Sequence, residues 1–320
     1  MSKSIKVAGL SLTGSRKDNF YLSLLEYYED SNRFFLSSLL QVGNQSGDDA
    51  IPNWISTYML TDLIVDFPLS KPPCEVCQLT CPGLSTCPDP KVQDVRERIE
   101  LLLKDDNTLS SRYPKQYERE RNQHDEVNYS RDICEKEPYQ HLLSRSFKRR
   151  LRKGFLPYWN RSIDLWVWMH YFDQLLSLFN ISYDSFGSTS LMLLSRFAYL
   201  KRHFNTPVNF HESRRQIILI ELLKERIIHK RDILNLNDLD LGPIARREII
   251  QNIEQGLSLF IYDHDMEILV EKQRAFDSFL LSLAGKSLCL GHLRTIPPWA
   301  DPAESRLVVP TFQKVSDKSI

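Results

Sequence analysis

What the 320-residue chain lacks narrows it first. It has no excess of charge: 41 lysines and arginines balance 41 aspartates and glutamates. Attraction to a polyanion must therefore come from local patches and not from the molecule as a whole. No stretch approaches the ~20 consecutive apolar residues that cross a bilayer, and the opening MSKSIKVAGLSLTG has no long apolar core of a secretory leader. A disulfide framework is also missing, since the chain has only six cysteines and four of them fall between positions 74 and 87. These absences argue against a membrane partner and a secreted scaffold, and set the expectation of a soluble, cytoplasmic protein. What is present is globular in kind, 42% hydrophobic and 26% charged, and long enough to bury a substantial core.

The organising stretch is residues 63–70, LIVDFPLS. Three apolar residues run into an aspartate, then an aromatic and a proline, as in a buried strand that delivers one carboxylate at its carboxyl end and then leaves the sheet. In open α/β sheets that end is where ligands sit. Asp66 is therefore a candidate site residue, with a turn-capping aspartate as the alternative. Upstream, residues 4–13, 20–28 and 33–42 read as an antiparallel three-stranded meander. Residues 48–59 have apolar positions at helical spacing, with a proline in the first turn. A right-handed crossover through that helix lays the strand ending at Asp66 parallel to the first strand. This order is the opening of a ribonuclease H-like fold, so the expected class is α/β: a mixed sheet of antiparallel meander plus parallel strands, helices on both faces, and a helical insertion, in a single domain over 1–320.

Further along, KPPCEVCQLTCPGLSTCPDP (71–90) places Cys74, Cys77, Cys81 and Cys87 two, three and five residues apart. Four thiolates this close suit one soft cation: tetrahedral Zn²⁺, or an iron–sulfur cluster as the redox-active rival. A proline-rich loop that merely tolerates its cysteines is the plain alternative. Residues 90–103 read as an amphipathic helix, and the polar, basic stretch 104–153 as an insertion without clear periodicity. Within it RSFKRRLRK (145–153), including Lys148, Arg149 and Arg150, is either a solvated helix face or a contact for a phosphate backbone. The aromatic run containing Trp166, Trp168, Tyr171 and Phe172 reads as core before it reads as a base-stacking platform. Helices are expected over 186–204, 214–229, 246–260 and 273–285, with short strands at 208–213 and 306–310. Asp277, set among Phe276, Phe279 and Leu280, is a carboxylate on an apolar face, which demands a reason.

The segments GLSLTGS, LIVDFPLSKPPCEVC with CPGLSTC, GFLPYWNRSIDLW, NFHES, QRAFDSFLLSLAG and RLVVP, in this order, resemble a family of bacterial proteins known as domain of unknown function 429, described as predicted nucleases of ribonuclease H-like fold. The resemblance implies Glu212 at the end of its strand and Asp277 on the last helix as further site carboxylates. It also matches Arg161 and Asp164 to an arginine and an acid three residues on. Residues three apart share a helix face, so this pair either orients Arg161 toward a bound anion or is a surface bridge. The chain departs from the pattern in two places. Ser213 follows Glu212 where the family has proline, and Ser11 stands on the first strand where an active ribonuclease H fold has aspartate.

Asp66, Glu212 and Asp277 together are the carboxylate set that a two-ion phosphodiesterase uses with Mg²⁺ or Mn²⁺. The leading expectation is thus a metal-dependent nuclease acting on nucleic acid. Ser11 motivates a second: a catalytically silent member that binds nucleic acid or a protein through its basic stretch and cysteine loop. Hydrolysis of a small phosphorylated compound near Glu212 is a third.

Overall fold

The computed structural model describes residues 5–12, 20–42, 47–115, 151, 155–181, 191–204 and 207–314. Its contacts divide the chain into two compact units, Met1–Leu69 with Ser190–Thr295 and Ser305–Ile320, and Ser70–Thr189 with Ile296–Glu304. Among the described residues no helix is long and apolar enough to cross a membrane.

The first unit is α/β, built on a six-stranded mixed sheet in the order β5-β4-β1-β2-β3-β6. β1 (Lys6–Ser11), β2 (Tyr21–Tyr28) and β3 (Arg33–Gln41) form the antiparallel meander that their alternation predicts, with Gly9 opposite Ser23 and Leu22 opposite Leu40. The chain crosses through α1 (Ala50–Tyr58) to β4 (Asp62–Val65), which lies parallel to β1 with Leu10 beside Val65. β5 (Asn209–Glu212) adds in parallel on the far side of β4, pairing Val65 with Glu212. Ser11, Val65 and Glu212 thus end three neighbouring parallel strands, and Asp66 follows directly. The remaining helices of this unit are α2 (Leu191–Leu200), α3 (Arg215–Lys224), α4 (Lys230–Asn235), α5 (Leu241–Gly256), α6 (Asp263–Glu271) and α7 (Gln273–Leu290).

Alternation sends Ala8, Leu10, Leu22, Leu24, Leu63 and Val65 to one face, where they share a core with Ile51 and Ile55 of α1 and Phe197 and Leu200 of α2. Each of these leucine, valine, isoleucine and phenylalanine side chains, fully buried, contributes ~1.5–3 kcal/mol. On the opposite face Gly9 and Ser23 let α7 lie directly on the sheet beside β1. A Cβ on Gly9 would stand 2.3 Å from the Ser278 carbonyl oxygen, and one on Gly285 would stand 3.2 Å from the Val7 Cβ. Buried hydroxyls close the same seam, with the Ser23 and Ser278 oxygens 2.6 Å apart.

Several helix limits differ from those the sequence predicts, for one shared reason. The helix expected over 214–229 stops at Lys224, and the chain turns through Arg226 at φ 55° before α4 begins. The helix expected over 246–260 starts earlier, at Leu241, and ends at Gly256; Ser258 then adopts φ 49° and the chain pairs as the two-residue strand β6 (Leu259–Phe260) beside β3. These left-handed turns use arginine and serine where glycine would have announced a stop. The terminal RLVVP makes two isolated bridges, Leu307 to Glu212 and Pro310 to Leu293, and is not a strand.

In the second unit the helix Pro90–Arg112 runs past the predicted end at 103. Its polar continuation is sustained by Asp106, which is buried and partnered, and by hydroxyls that fold back on the helix, Thr108 donating to the Lys104 carbonyl. Lys91 at the start of this helix pairs with Asp301 and Glu304, and Arg98 lies over the Trp299 ring. The helices Ser162–His170 and Phe172–Phe179 follow. Trp166, Trp168 and Tyr171 are fully buried, so they are core residues. Lys148, Arg149 and Arg150 lie outside the described residues.

Candidate active site

The carboxyl ends of β1, β4 and β5 carry the polar side chains that their buried surroundings least tolerate. Asp66 leaves β4 beside the end of β1, where the Ser11 hydroxyl donates to its Oδ2 at 2.8 Å and the Leu12 amide to its Oδ1 at 3.2 Å. Both oxygens are thereby oriented. Asp277, 3% exposed, comes from the second turn of α7, whose tight seat on β1 brings it toward Asp66. One Arg274 Nη1 lies 3.9 Å from Asp66 Oδ2 and 3.9 Å from Asp277 Oδ2. The two carboxylates therefore share a guanidinium and feel one another's charge. Arg215, the first residue of α3, adds a second guanidinium on Asp277, with its Nη1 3.2 and 3.3 Å from the two oxygens.

Electrostatics follow from this crowding. Desolvation pushes the Asp66 carboxyl up to about 6; the Asp277 charge adds to the rise, and the Ser11 and Leu12 hydrogen bonds and Arg274 oppose it. Asp277 is also raised, by desolvation, against the pull of Arg215, Arg274 and Arg246. Burial lowers Arg246 in turn. Raised acids beside several cations mean that desolvation outweighs the neutralisation supplied by the arginines.

Glu212 is held differently. Its amide donates to the Arg306 carbonyl at 3.0 Å, and its own carbonyl accepts from the Val308 amide at 2.7 Å, so residues 306–308 fix the backbone. Its side chain, 1% exposed, accepts from the Leu69 amide at 3.3 Å and from Arg214 at 3.3 Å. Asp66 and Asp277 are thus brought under one guanidinium, while Glu212 is satisfied by partners of its own. Among the described residues no three Asp, Glu, His or Cys side chains gather closely enough to hold one ion.

In the second unit Arg161 and Asp164 form a buried bidentate pair, both contacts 2.9 Å, in which Asp164 also accepts from the Arg161 amide and caps the helix. Arg161 further donates to the Ser70 hydroxyl at 3.2 Å. The pair is buried, so it is not a surface bridge. Cys74, Cys77 and Cys81 are exposed and unbridged, and Cys87 is half-buried. Burial and the neighbouring sulfurs of Cys87, Cys81 and Cys77 push the Cys74 thiol up.

Arg214, Arg215 and Arg274 were not singled out by sequence reasoning. Each lies two or three residues from an acid, a spacing that reads as ordinary surface charge; the signal available was their position in the first turn of a helix directly after a strand or beside Asp277. Comparison of the chain with family models, with curated proteins and with solved structures found no match.

Proposed function

We propose that the chain is a divalent-metal-dependent phosphodiesterase, a nuclease of ribonuclease H-like fold, centred on Asp66 and Asp277. The observation that carries the reading is the pairing of these two carboxylates under Arg274. The strand order supports the fold: an antiparallel meander with two parallel strands added beside its first strand. Two desolvated acids, one raised further by the charge of the other, are suited to Mg²⁺ or Mn²⁺, hard cations that take oxygen ligands. Glu212, already satisfied by Arg214 and Leu69, supports the backbone of the site and not the ion, which reduces the expected three-acid set to a pair. When bound, such an ion supplies Lewis-acid polarisation of a phosphoryl group.

The chain's own residues do the rest. Ser11 and the Leu12 amide fix the Asp66 carboxylate. Arg215 and Arg274 offer guanidinium donors to phosphate oxygens, Arg274 from a side chain 42% exposed and therefore able to turn. The test is cleavage of single- and double-stranded DNA and RNA by the full chain with Mg²⁺ and with Mn²⁺. Asp66→Asn keeps shape but not affinity for a hard cation, and is expected to lower the rate at least ~100-fold with an unchanged circular dichroism spectrum.

A second reading, a silent binding module, is favoured by Ser11, which contributes a hydrogen bond where a charged ligand would serve catalysis. No cleavage of any substrate, together with salt-sensitive binding that weakens when Lys148, Arg149 and Arg150 are neutralised, would establish it in place of the first.

A further inference from the structure

Composition and environment disagree most in the loop 71–90. Unpaired cysteine behaves as a small apolar side chain and is among the most often buried residues, yet three of the four loop cysteines are exposed. Val76, Leu79 and Leu84 are exposed as well, and between Pro73 and Asp89 no residue is buried. The segment therefore has no core of its own, and short segments without a core keep a shape through cross-links or metals.

Its ends are already tied to the second unit. The Cys74 amide donates to the Pro157 carbonyl at 3.0 Å, the Gln93 side chain donates to the Cys87 carbonyl at 3.1 Å, and Arg96 Nη1 donates to the Leu84 and Ser85 carbonyls, both at 2.9 Å. Between these anchors the Leu79 amide donates to Cys77 Sγ at 3.4 Å. Gly83, at φ 98° with no atom within 4 Å of a would-be Cβ, turns the middle of the loop through a backbone conformation that favours glycine.

We propose that Cys74, Cys77, Cys81 and Cys87 together bind one Zn²⁺. Each thiol releases its proton, so four protons leave per ion, four zinc–sulfur bonds form, and nothing is oxidised or reduced. Nothing in this depends on the phosphodiesterase reading.

The experiment is metal analysis of the full chain purified under reducing conditions without chelator, followed by exchange with Co²⁺. One zinc per chain is expected, together with the visible bands of tetrahedral cobalt and a thiolate-to-cobalt charge-transfer band. Cys77→Ser and Cys81→Ser should each lower zinc retention by about tenfold or more during dialysis against a competing chelator. Cys289→Ser and Asp66→Asn should retain zinc as the parent does, which separates this site from the carboxylates. Should the loop variants fail to fold, the cobalt spectrum of the parent chain decides. Iron with sulfide, disulfides among the four cysteines, or metal-free protein whose thiols all react with a thiol reagent after zinc is supplied would each overturn the proposal.

Discussion

Ser11 is the residue on which the carboxylate site turns. Read from sequence it is a deficiency, a neutral side chain at the end of the first strand; in the fold it is the donor that orients Asp66. Ser11→Asp places a second carboxylate against a group that burial already strains. In metal-free protein above pH ~6 the substitution should cost ~1–3 kcal/mol by denaturant unfolding, and Mg²⁺ or Mn²⁺ should recover part of the loss. Unchanged stability with no response to either ion would mean that the new side chain does not meet Asp66. Asp66 was legible because a charge directly after an apolar run has few explanations, and Asp277 because it interrupts an apolar helix face. The arginines were not, because the sequence does not show which charges share a buried corner.

At the scale of elements, β1 to β4 were legible because local alternation and one short crossover fix them. The ends of α3 and α5 were hidden by left-handed turns at Arg226 and Ser258. β6 was hidden because two residues carry no periodicity. The seat of α7 on β1 is the contact that creates the site, and it depends on Gly9. In Gly9→Ala the new Cβ would meet the Ser278 carbonyl oxygen at 2.3 Å and the Ser282 nitrogen at 2.4 Å, both backbone atoms that cannot turn aside. The helix must lift, at a cost of ~3 kcal/mol or more. Because α7 carries Asp277, Mn²⁺ affinity should fall in the same variant. A Gly9→Ala protein with parental unfolding midpoint and parental Mn²⁺ titration would show that the approach is looser than described.

For the whole molecule, the balance of 41 basic and 41 acidic residues leaves pH dependence to individual buried groups. Asp66 is raised to about 6 and Asp277 is raised with it. An acid whose folded pKa is raised favours folding while protonated: its contribution is fully present below the ordinary carboxylate value near ~4 and is lost as pH rises through about 6. In the absence of divalent ions, Asp66→Asn should therefore gain stability relative to the parent as pH rises across that window, levelling at ~1–3 kcal/mol above it. Denaturant unfolding at a series of pH values in chelator checks this, and a difference independent of pH counts against the desolvation of Asp66.

The pairing of Val65 with Glu212 also bears on how the molecule is made. β4 and β5 are neighbours in the sheet, yet the whole excursion from Ser70 to Thr189 is synthesised between them. As the chain emerges, the meander and β4 can form while the sheet ends at an open edge and the Asp66 carboxyl stands without Asp277, Arg215 or Arg274. Closure waits for β5 and then for α7, contacts of long sequence separation that assemble slowly. Asp66 and Asp277 therefore come together only after α7 is made, residues 306–308 reach Glu212 later still, and a nascent or truncated chain carries the strand that bears Asp66 long before its carboxylate has these neighbours.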